Sequence, residues 1–219
     1  MGELTGIIIA VVALGLYFGR NFLNNKLYND LMSVIGKDEE KFNKLINSFA
    51  VKMSFQPFNR DYMTLNHYIM MENDEKVEKW FNDLDAHKLN QKQTLNLYQK
   101  VFMYYVKKNN AAKAKDVYER ICKYVDEKGL PASIKESCEK DILVYLDKNP
   151  KVLKTLDKML EEASDDAKAL LYLEKTYVLK YNRRMDEALK TMQKVVEYTS
   201  NPNQKKVMQD LLDSNLEAL

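Results

Sequence analysis

Residues 98–121 carry the sequence YQKVFMYYVKKNNAAKAKDVYERI, and the spacing of its apolar residues decides the fold. Apolar side chains recur at helical intervals in both halves of the stretch: Tyr98, Val101, Phe102, Tyr105, Ala114, Tyr118 and Ile121. Intervals of three and four place such residues on one helical face. Asn109 and Asn110 lie between the halves, and asparagine is a preferred N-cap. The stretch therefore predicts two amphipathic helices joined by a tight turn.

The second half of this stretch recurs along the chain. Apolar residues at +4 and +7 from a starting position occur at Phe42, Ile46 and Phe49, at Val77, Phe81 and Leu84, and at Ala188, Met192 and Val195. Leu153, Leu156 and Leu160 follow a looser +3 and +7 version. The starting positions 42, 77, 114, 153 and 188 are separated by 35, 37, 39 and 35 residues. A period of this length is typical of helical repeat proteins.

Each interval leaves room for one more helix, and the sequence predicts these partner helices at roughly 59–72, 91–108, 132–148 and 166–182. Asn73, Asn110, Asn149 and Asn201 are predicted caps, and Ser133 with Glu136 has the spacing of a capping box. The 219 residues include only 6 glycines and 4 prolines, which is too few turn residues for many short strands. An all-α fold is expected.

The best unit, residues 98–121, resembles a tetratricopeptide repeat, as do residues 65–84 and the segment MDEALKTMQKVV near the C-terminus. The resemblance covers about residues 38–200, although Phe102 and Leu65 replace a small residue of the family pattern. It implies a right-handed α-solenoid of antiparallel TPR-like helix pairs over 59–200. Residues 24–58 would then be a linker helix with degenerate first helices. Residues 201–219 would be a capping helix with Val207, Leu211 and Leu212 on its apolar face.

An N-terminal transmembrane helix is predicted at residues 4–23. The sequence LTGIIIAVVALGLYFGRNFL has no charge between Glu3 and Arg20, and twenty helical residues span about 30 Å, the thickness of a hydrocarbon core. A cleavable signal peptide needs a basic region before the apolar run, and this chain has Glu3 there. Gly15 and Gly19 form a GxxxG spacing that permits homodimer packing. Glycine is also common in membrane helices without dimerisation, and both interpretations stay open.

The charges that flank this segment predict its orientation. Arg20, Lys26 and Lys37 follow the apolar run, and positive flanking residues remain on the cytoplasmic side. The sequence therefore predicts a single-pass membrane protein whose C-terminal portion is cytoplasmic. The alternative is an extracytoplasmic, membrane-tethered accessory factor for protein folding or envelope assembly.

No catalytic, cofactor-binding or metal-binding pattern accompanies the repeats. The glycines form no phosphate-binding loop, and His67 and His87 lack ligand spacing, which favours structural or solvent-exposed roles. Cys122 and Cys138 are expected to be ordinary helix residues in a reducing compartment. The net charge of +2, with both signs interspersed, argues against nucleic-acid binding. The sequence thus indicates a protein that is not an enzyme.

The resemblance implies that the first helix of each pair lines a groove for a peptide or helix of a protein partner. The candidate groove residues are Tyr62, Asn66, Gln99, Lys100, Met103 and Tyr177. A role as simple solvated positions stays open for each of them. Some family members clamp acidic chaperone tails with a lysine and an asparagine one turn apart. Tyr62 and Asn66 occupy the matching places here, so half of that clamp is absent. The expected function is a membrane-anchored scaffold or adaptor that binds a protein.

Overall fold

The computed structural model describes residues 24–217 and 219, and the chain is all-α within them. The first helix, α1, covers residues 24–34. The helices that follow in chain order are α2 Glu39–Ile46, α3 Phe49–Ser54, α4 Pro57–Met70, α5 Asp74–Asp85, α6 Gln91–Lys107, α7 Ala111–Lys128, α8 Ser133–Asp141, α9 Val152–Glu162, α10 Asp165–Tyr181, α11 Met185–Tyr198 and α12 Pro202–Asp213. A π-helical turn, Ile142–Leu146, continues α8. The predicted alternation of repeat helices and partner helices is therefore present from α4 to α11.

The chain divides into two compact units, of which the first ends at Leu97 and the second is Tyr98–Leu219. In the first unit, α4 packs against α5 and α2. Its core cluster consists of buried aliphatic side chains around one buried phenylalanine: Leu31, Ile35, Phe42, Ile46 and Val51. The His67 ring stacks on Phe42 with centroids 4.1 Å apart and planes within 2°. A titratable ring is therefore packed against this cluster.

In the second unit, α10 packs against α9 and α11, and α12 packs against α11. One core cluster has its buried residues in the π-helical turn, α9, α10, α11 and the segment after α12: Val144, Val152, Leu153, Leu156, Leu171, Val178, Leu179, Ala188, Met192, Val195 and Leu216. Burying a side chain of this size stabilises the fold by about 1.5–3 kcal/mol. The repeating apolar template predicted five of these residues: Leu153, Leu156, Ala188, Met192 and Val195.

A shared turn ends each first helix of a pair. Glu72, Asn109, Lys148 and Arg183 all have a positive φ, between 49° and 61°. They are separated by 37, 39 and 35 residues, and each lies five residues before a predicted repeat start. The amide after the left-handed residue bonds back across the helix end, as Asn110 N does to Tyr105 O at 2.9 Å. This is the Schellman geometry, widened by one residue at the Lys148 turn, where Asn149 N bonds to Leu143 O at 2.8 Å. Its recurrence gives the turns the same period as the sequence.

Two of these turns also share their side-chain chemistry. Asn73 accepts a hydrogen bond from Lys76 N, and Asn110 accepts one from Lys113 N, so each asparagine caps the following helix. The capping-turn lysine lies over a tyrosine of the preceding helix in both cases, with Lys113 Nζ 5.4 Å from the Tyr105 ring centroid. The predicted asparagine caps are correct at both turns, and at Asn201 as well.

Two residues of the predicted apolar template are not in the core. Phe49 is 80% exposed, because α2 ends at Ile46 and the Ser48 side chain caps a new helix that turns Phe49 outward. In α7 the template residues Ala114 and Ile121 are buried, as is Val117, whereas Tyr118 is half-buried. The template prediction for Phe49 is wrong, because the Ser48 cap begins a new helix there. Tyr118 lies at the edge of the buried face of α7.

Two further local predictions are wrong. The N-cap of α8 is Ala132, which makes no side-chain capping bond, so Ser133 and Glu136 do not form a capping box. Val207 is exposed, and Met208, Leu211 and Leu212 of α12 pack on the core instead. The Pro131 ring precedes α8 and fixes the entry of the chain without a polar cap.

Within the described part of the chain, no helix is both long enough and apolar enough to cross a membrane. The predicted membrane span at 4–23, and with it Gly15 and Gly19, lies outside the described residues. The anchor therefore stays a prediction.

Candidate functional site

A cleft with a volume of about 550 Å³ lies in the second unit. Its lining comes from the end of α6, the turn after α6, the π-helical turn with the turn after it, and α10: Met103, Val106, Lys107, Asn109, Tyr145, Lys148 and Tyr177. The cleft is open to solvent. Its volume is in the range of protein sites that bind ligands or side chains of a partner.

Apolar groups form the floor of this cleft. The Tyr145 and Tyr177 rings contact each other with centroids 5.8 Å apart and planes tilted by 46°. Met103 is 39% exposed although it is apolar, and its flexible thioether adapts to differently shaped contacts. An exposed methionine beside two tyrosines gives an apolar surface with polar hydroxyl groups.

Two of the Schellman turns border the cleft. Asn109 and Lys148 have φ of 53° and 49°, and neither is a glycine. The Asn182 side chain donates a hydrogen bond to Lys148 O at 2.9 Å, which holds the second turn in place. The Lys148 ammonium lies 4.7 Å from the centroid of the Tyr181 ring. The border is therefore built from constrained backbone.

The π-helical turn brings Tyr145 to the cleft. Asp147 N bonds to Ile142 O at 2.9 Å, an interval of five residues instead of four. Such a turn inserts one extra residue into a helix and rotates the side chains that follow it, and it is common at functional sites. Val144 points into the core while its neighbour Tyr145 reaches the cleft.

A buried charged cluster stands behind Tyr145. Glu174 is 3% exposed, and its Oε1 accepts hydrogen bonds from Lys140 Nζ at 2.5 Å and from the Tyr145 hydroxyl at 3.4 Å. Lys140 also pairs with Asp141 at 3.1 Å. The Glu174 Oε2 atom is buried without a hydrogen-bond partner among the described residues. The Lys140 ammonium thus pairs with the carboxyl groups of Glu174 and Asp141. Glu174 in turn holds the hydroxyl group of Tyr145, which lines the cleft.

Burial and charge act in opposite directions on this cluster. Burial raises the pKa of the Glu174 and Asp141 carboxyl groups above their ordinary values, against the opposing effect of Lys140. Burial alone would lower the pKa of Lys140, but the hydrogen bond to Glu174 and the nearby carboxylates outweigh it and raise that pKa. Burial also raises the pKa of the Tyr145 hydroxyl, which stays protonated and able to donate. Lys140 is therefore the permanently charged member of the cluster.

The structure brings together two of the six predicted groove residues. Met103 and Tyr177, which are 74 positions apart in sequence, both line the cleft. Gln99 and Lys100 lie on the same helix as Met103 and are exposed, but they are not part of the cleft lining.

Tyr62 and Asn66 belong to the first unit and are half-buried. The Tyr62 ring stacks on Phe58 with centroids 5.7 Å apart, and burial raises the pKa of its hydroxyl. The Oδ1 atom of Asn66 is buried without a hydrogen-bond partner among the described residues. These two side chains contribute at least in part to packing within the first unit.

The remaining predicted special residues have no place in the cleft. Cys122 and Cys138 are free thiols in α7 and α8, and burial raises the pKa of the Cys138 thiol to about 11, which makes it a poor nucleophile at neutral pH. His67 is fully buried and accepts a hydrogen bond from Gly36 N at 2.9 Å, whereas His87 is exposed. Across the described residues, no three His, Cys, Asp or Glu side chains are grouped as metal ligands.

Sequence reasoning missed Tyr145, Lys148 and the Lys140–Glu174 pair. The segment DILVYLDKNP shows no break in its helical spacing, so the π-helical turn has no signal there. Glu174 occupies a position on α10 between Leu171 and Val178, at intervals of three and four. That polar residue within an apolar face was the one available signal of a buried charge.

Comparison with known proteins does not assign this chain to a family. No protein-family model matches the chain, and neither a curated protein nor a solved structure does so significantly.

Proposed function

We propose that this chain is a membrane-anchored scaffold or adaptor of the tetratricopeptide type, which binds a protein partner in the cytoplasm and has no catalytic chemistry of its own. The observation that carries the proposal is the cleft in which Met103 and Tyr177 meet Tyr145. Two residues that the family resemblance and their helical register predicted for the groove line one concave, partly apolar surface. Concave surfaces of this kind are the common binding sites of helical repeat proteins.

The repeat itself has two supports. The sequence template and the left-handed turns share one period, and the helices alternate as the family resemblance implies. The membrane anchor rests on the apolar run at residues 4–23, and the cytoplasmic orientation rests on Glu3, Arg20 and Lys26. A right-handed solenoid is the arrangement that this resemblance implies for residues 59–200.

The test of the binding function compares two exposed methionines of the second unit. Met103 in the cleft is 39% exposed, and Met159 on α9, outside the cleft lining, is 41% exposed. Full-length chain with Met103→Glu, with Met159→Glu, or with neither change is expressed with an affinity tag and purified in detergent. Co-purifying proteins are quantified by mass spectrometry. A partner should be captured by the unchanged chain and by Met159→Glu, and lost from Met103→Glu.

Two outcomes would count against the proposal in different ways. If no protein co-purifies specifically with the unchanged chain, the adaptor function fails. If a partner is captured equally by both variants, the adaptor function stands and the cleft is not its site. Melting temperatures of the two variants control for unfolding.

Anchor and orientation are tested separately. Deleting residues 4–23 should move the chain from the membrane fraction to the supernatant. Protease added to intact cells should leave residues 24–219 undigested. Digestion under those conditions would instead favour the extracytoplasmic accessory factor.

A further inference from the structure

The cleft of the second unit has an uneven charge. Its described lining residues include two lysines, Lys107 and Lys148, and no acidic residue. Neither ammonium forms an ion pair with another described residue. Glu174 is buried and Asp141 is half-buried, and both carboxyl groups pair with Lys140. The positive charge at the border is therefore not neutralised from within the cleft.

The floor between these cations is apolar and aromatic. Met103, Val106 and the paired rings of Tyr145 and Tyr177 offer a surface for one large apolar side chain. Aromatic side chains and methionine are enriched at the centres of protein interfaces, where charged groups lie at the rim. The cleft has this order, with apolar groups inside and cations outside.

Polar groups at the border favour a polypeptide as the occupant. The Asn109 side chain makes no hydrogen bond with the described residues, and it can both donate to and accept from a peptide backbone. An acyl chain has no such groups along its length. The cleft is also open to solvent, so the side chain that occupies it can belong to a longer chain outside it.

We infer that this cleft binds a segment of the partner protein in which an aromatic or long apolar side chain is flanked by carboxylates. The apolar side chain lies on Met103, Tyr145 and Tyr177, and the carboxylates pair with Lys107 and Lys148. This inference rests on the proposed function and adds the chemistry of the bound segment to it.

The buried cluster keeps the aromatic wall in position. The hydrogen bond to Glu174 orients Tyr145, and Lys140 holds Glu174 in turn. Tyr145 thus stays against Tyr177 when the cleft is empty, which reduces the ordering required on binding. Lys140 and Glu174 are positioning residues and do not contact the bound segment.

The experiment selects binding sequences without assuming a partner. Full-length chain in nanodiscs is used to pan a random dodecapeptide library displayed on phage, and the enriched pool is sequenced. The expected pool has Asp or Glu within a few positions of Phe, Trp, Leu or Met. A synthetic peptide from the pool should bind about tenfold more weakly to Lys107→Glu with Lys148→Glu, because two attractions become repulsions.

Lys205→Glu with Lys206→Glu is the matched control, because these lysines are exposed on α12 and the charge change is identical. The control should bind the peptide as the unchanged chain does, and binding should weaken at high salt. Melting temperatures of both double variants should stay close to that of the unchanged chain.

Several results would overturn the inference. These are a pool without acidic bias, an affinity that survives the reversal of both border charges, or the absence of any enriched peptide. Titration with laurate is a further arm. Laurate binding that depends on Lys107 and Lys148, with no peptide selected, would assign the cleft to an anionic amphiphile. Capture of a partner through Met103 in any of these cases would leave the proposed function intact.

Discussion

The two units differ in the titratable groups that they bury. In the first, the ring of His67 lies between Phe42 and Tyr68, and its Nε2 atom has no hydrogen-bond partner among the described residues. In the second, the buried titratable group is the Glu174 carboxylate, which accepts a hydrogen bond from Tyr145 beside the cleft and pairs with Lys140. The first unit thus carries a titratable group in its core, and the second carries its buried charge at its candidate binding site.

Helices that share one repeating template thus use a buried titratable group for two purposes. The first unit uses polar burial for local packing, since His67 accepts the Gly36 amide and fixes the turn after α1. The second unit uses polar burial to orient a residue of a surface cleft. Each of the following predictions tests one side of this comparison.

Truncating the aromatic core of α5 should have the largest effect. Phe81 is almost fully buried, so Phe81→Ala should destabilise the fold by about 3–5 kcal/mol. Tyr118→Ala at the corresponding template position should cost less, because Tyr118 is half-buried. Urea unfolding of each variant measures both values. Equal losses would mean that the two positions are equivalent after all.

Removing the buried cation should be the next largest effect. Lys140→Met leaves two carboxyl groups buried without their partner and should cost about 3 kcal/mol. Adding Glu174→Gln to this variant should recover part of the loss, which a double-mutant cycle measures. Lys115→Met is the control, since the exposed Lys115–Asp147 pair should contribute under about 1 kcal/mol. A similar loss from both lysines would contradict a special role for the cluster.

Two left-handed glycines offer a closer comparison of the units. Gly36 has φ of 69°, and a Cβ built there would lie 2.5 Å from Met70 Cβ. Gly129 has φ of 61° and no atom within 4 Å of such a Cβ. Gly129→Ala should therefore cost about 1 kcal/mol, the backbone penalty alone. Gly36→Ala adds a clash with an α4 side chain and should cost about 2–3 kcal/mol. Thermal melts of both variants decide this, and equal shifts would show that α4 moves freely.

The pH response should have the smallest effect and opposite signs in the two units. Burial lowers the pKa of His67, so the unfolded chain binds more protons below about 6.5, its ordinary pKa. The stability that the uncharged His67 ring contributes to the folded state is present above that pH, and it is lost as the pH falls towards the pKa of His67 in the folded chain. Burial raises the pKa of Glu174, so its penalty begins above the ordinary value of about 4.5 and acidification relieves it.

Hydrogen exchange between pH 7 and 5, corrected for intrinsic rates, resolves the two units. Protection should decline in residues 24–97 and hold or rise around α8 and α10. His67→Gln should abolish the decline, whereas exposed His87→Gln should leave it unchanged. Since the chain has only 2 histidines, this pair of variants covers every imidazole. A decline that persists in His67→Gln would assign the acid response to carboxyl groups.

Helical spacing predicted the repeating helices because their burial is periodic, as the full burial of Val77, Ala114 and Ala188 illustrates. Asparagine caps were equally visible, since their side chains act on the nearest amides. Phe49 was misplaced because the Ser48 cap interrupts the period locally.

For the cleft, the family resemblance and helical register together predicted Met103 and Tyr177, but they did not predict Tyr145 or Lys148. Tyr145 depends on a π-helical turn, and a helix with one extra residue has the same local composition as one without it. The Lys140–Glu174 pair joins helices 34 positions apart, and periodicity treats each charge as solvated. Which residues line a cleft depends on contacts between helices. The spacing of residues along one sequence does not show those contacts.

The turn at Ile142–Leu146 also has a consequence for how this chain tolerates changes of length. A π-helical turn holds one residue more than the α-helix requires, so deletion of a single residue there would leave an ordinary helix of intact hydrogen bonds. The loss of one residue and the return to α-helical pitch cancel, so the side chains after the deletion would keep roughly the direction that they have now. The π-helical turn is thus the place where this helix can lose a residue without rotating the residues that follow.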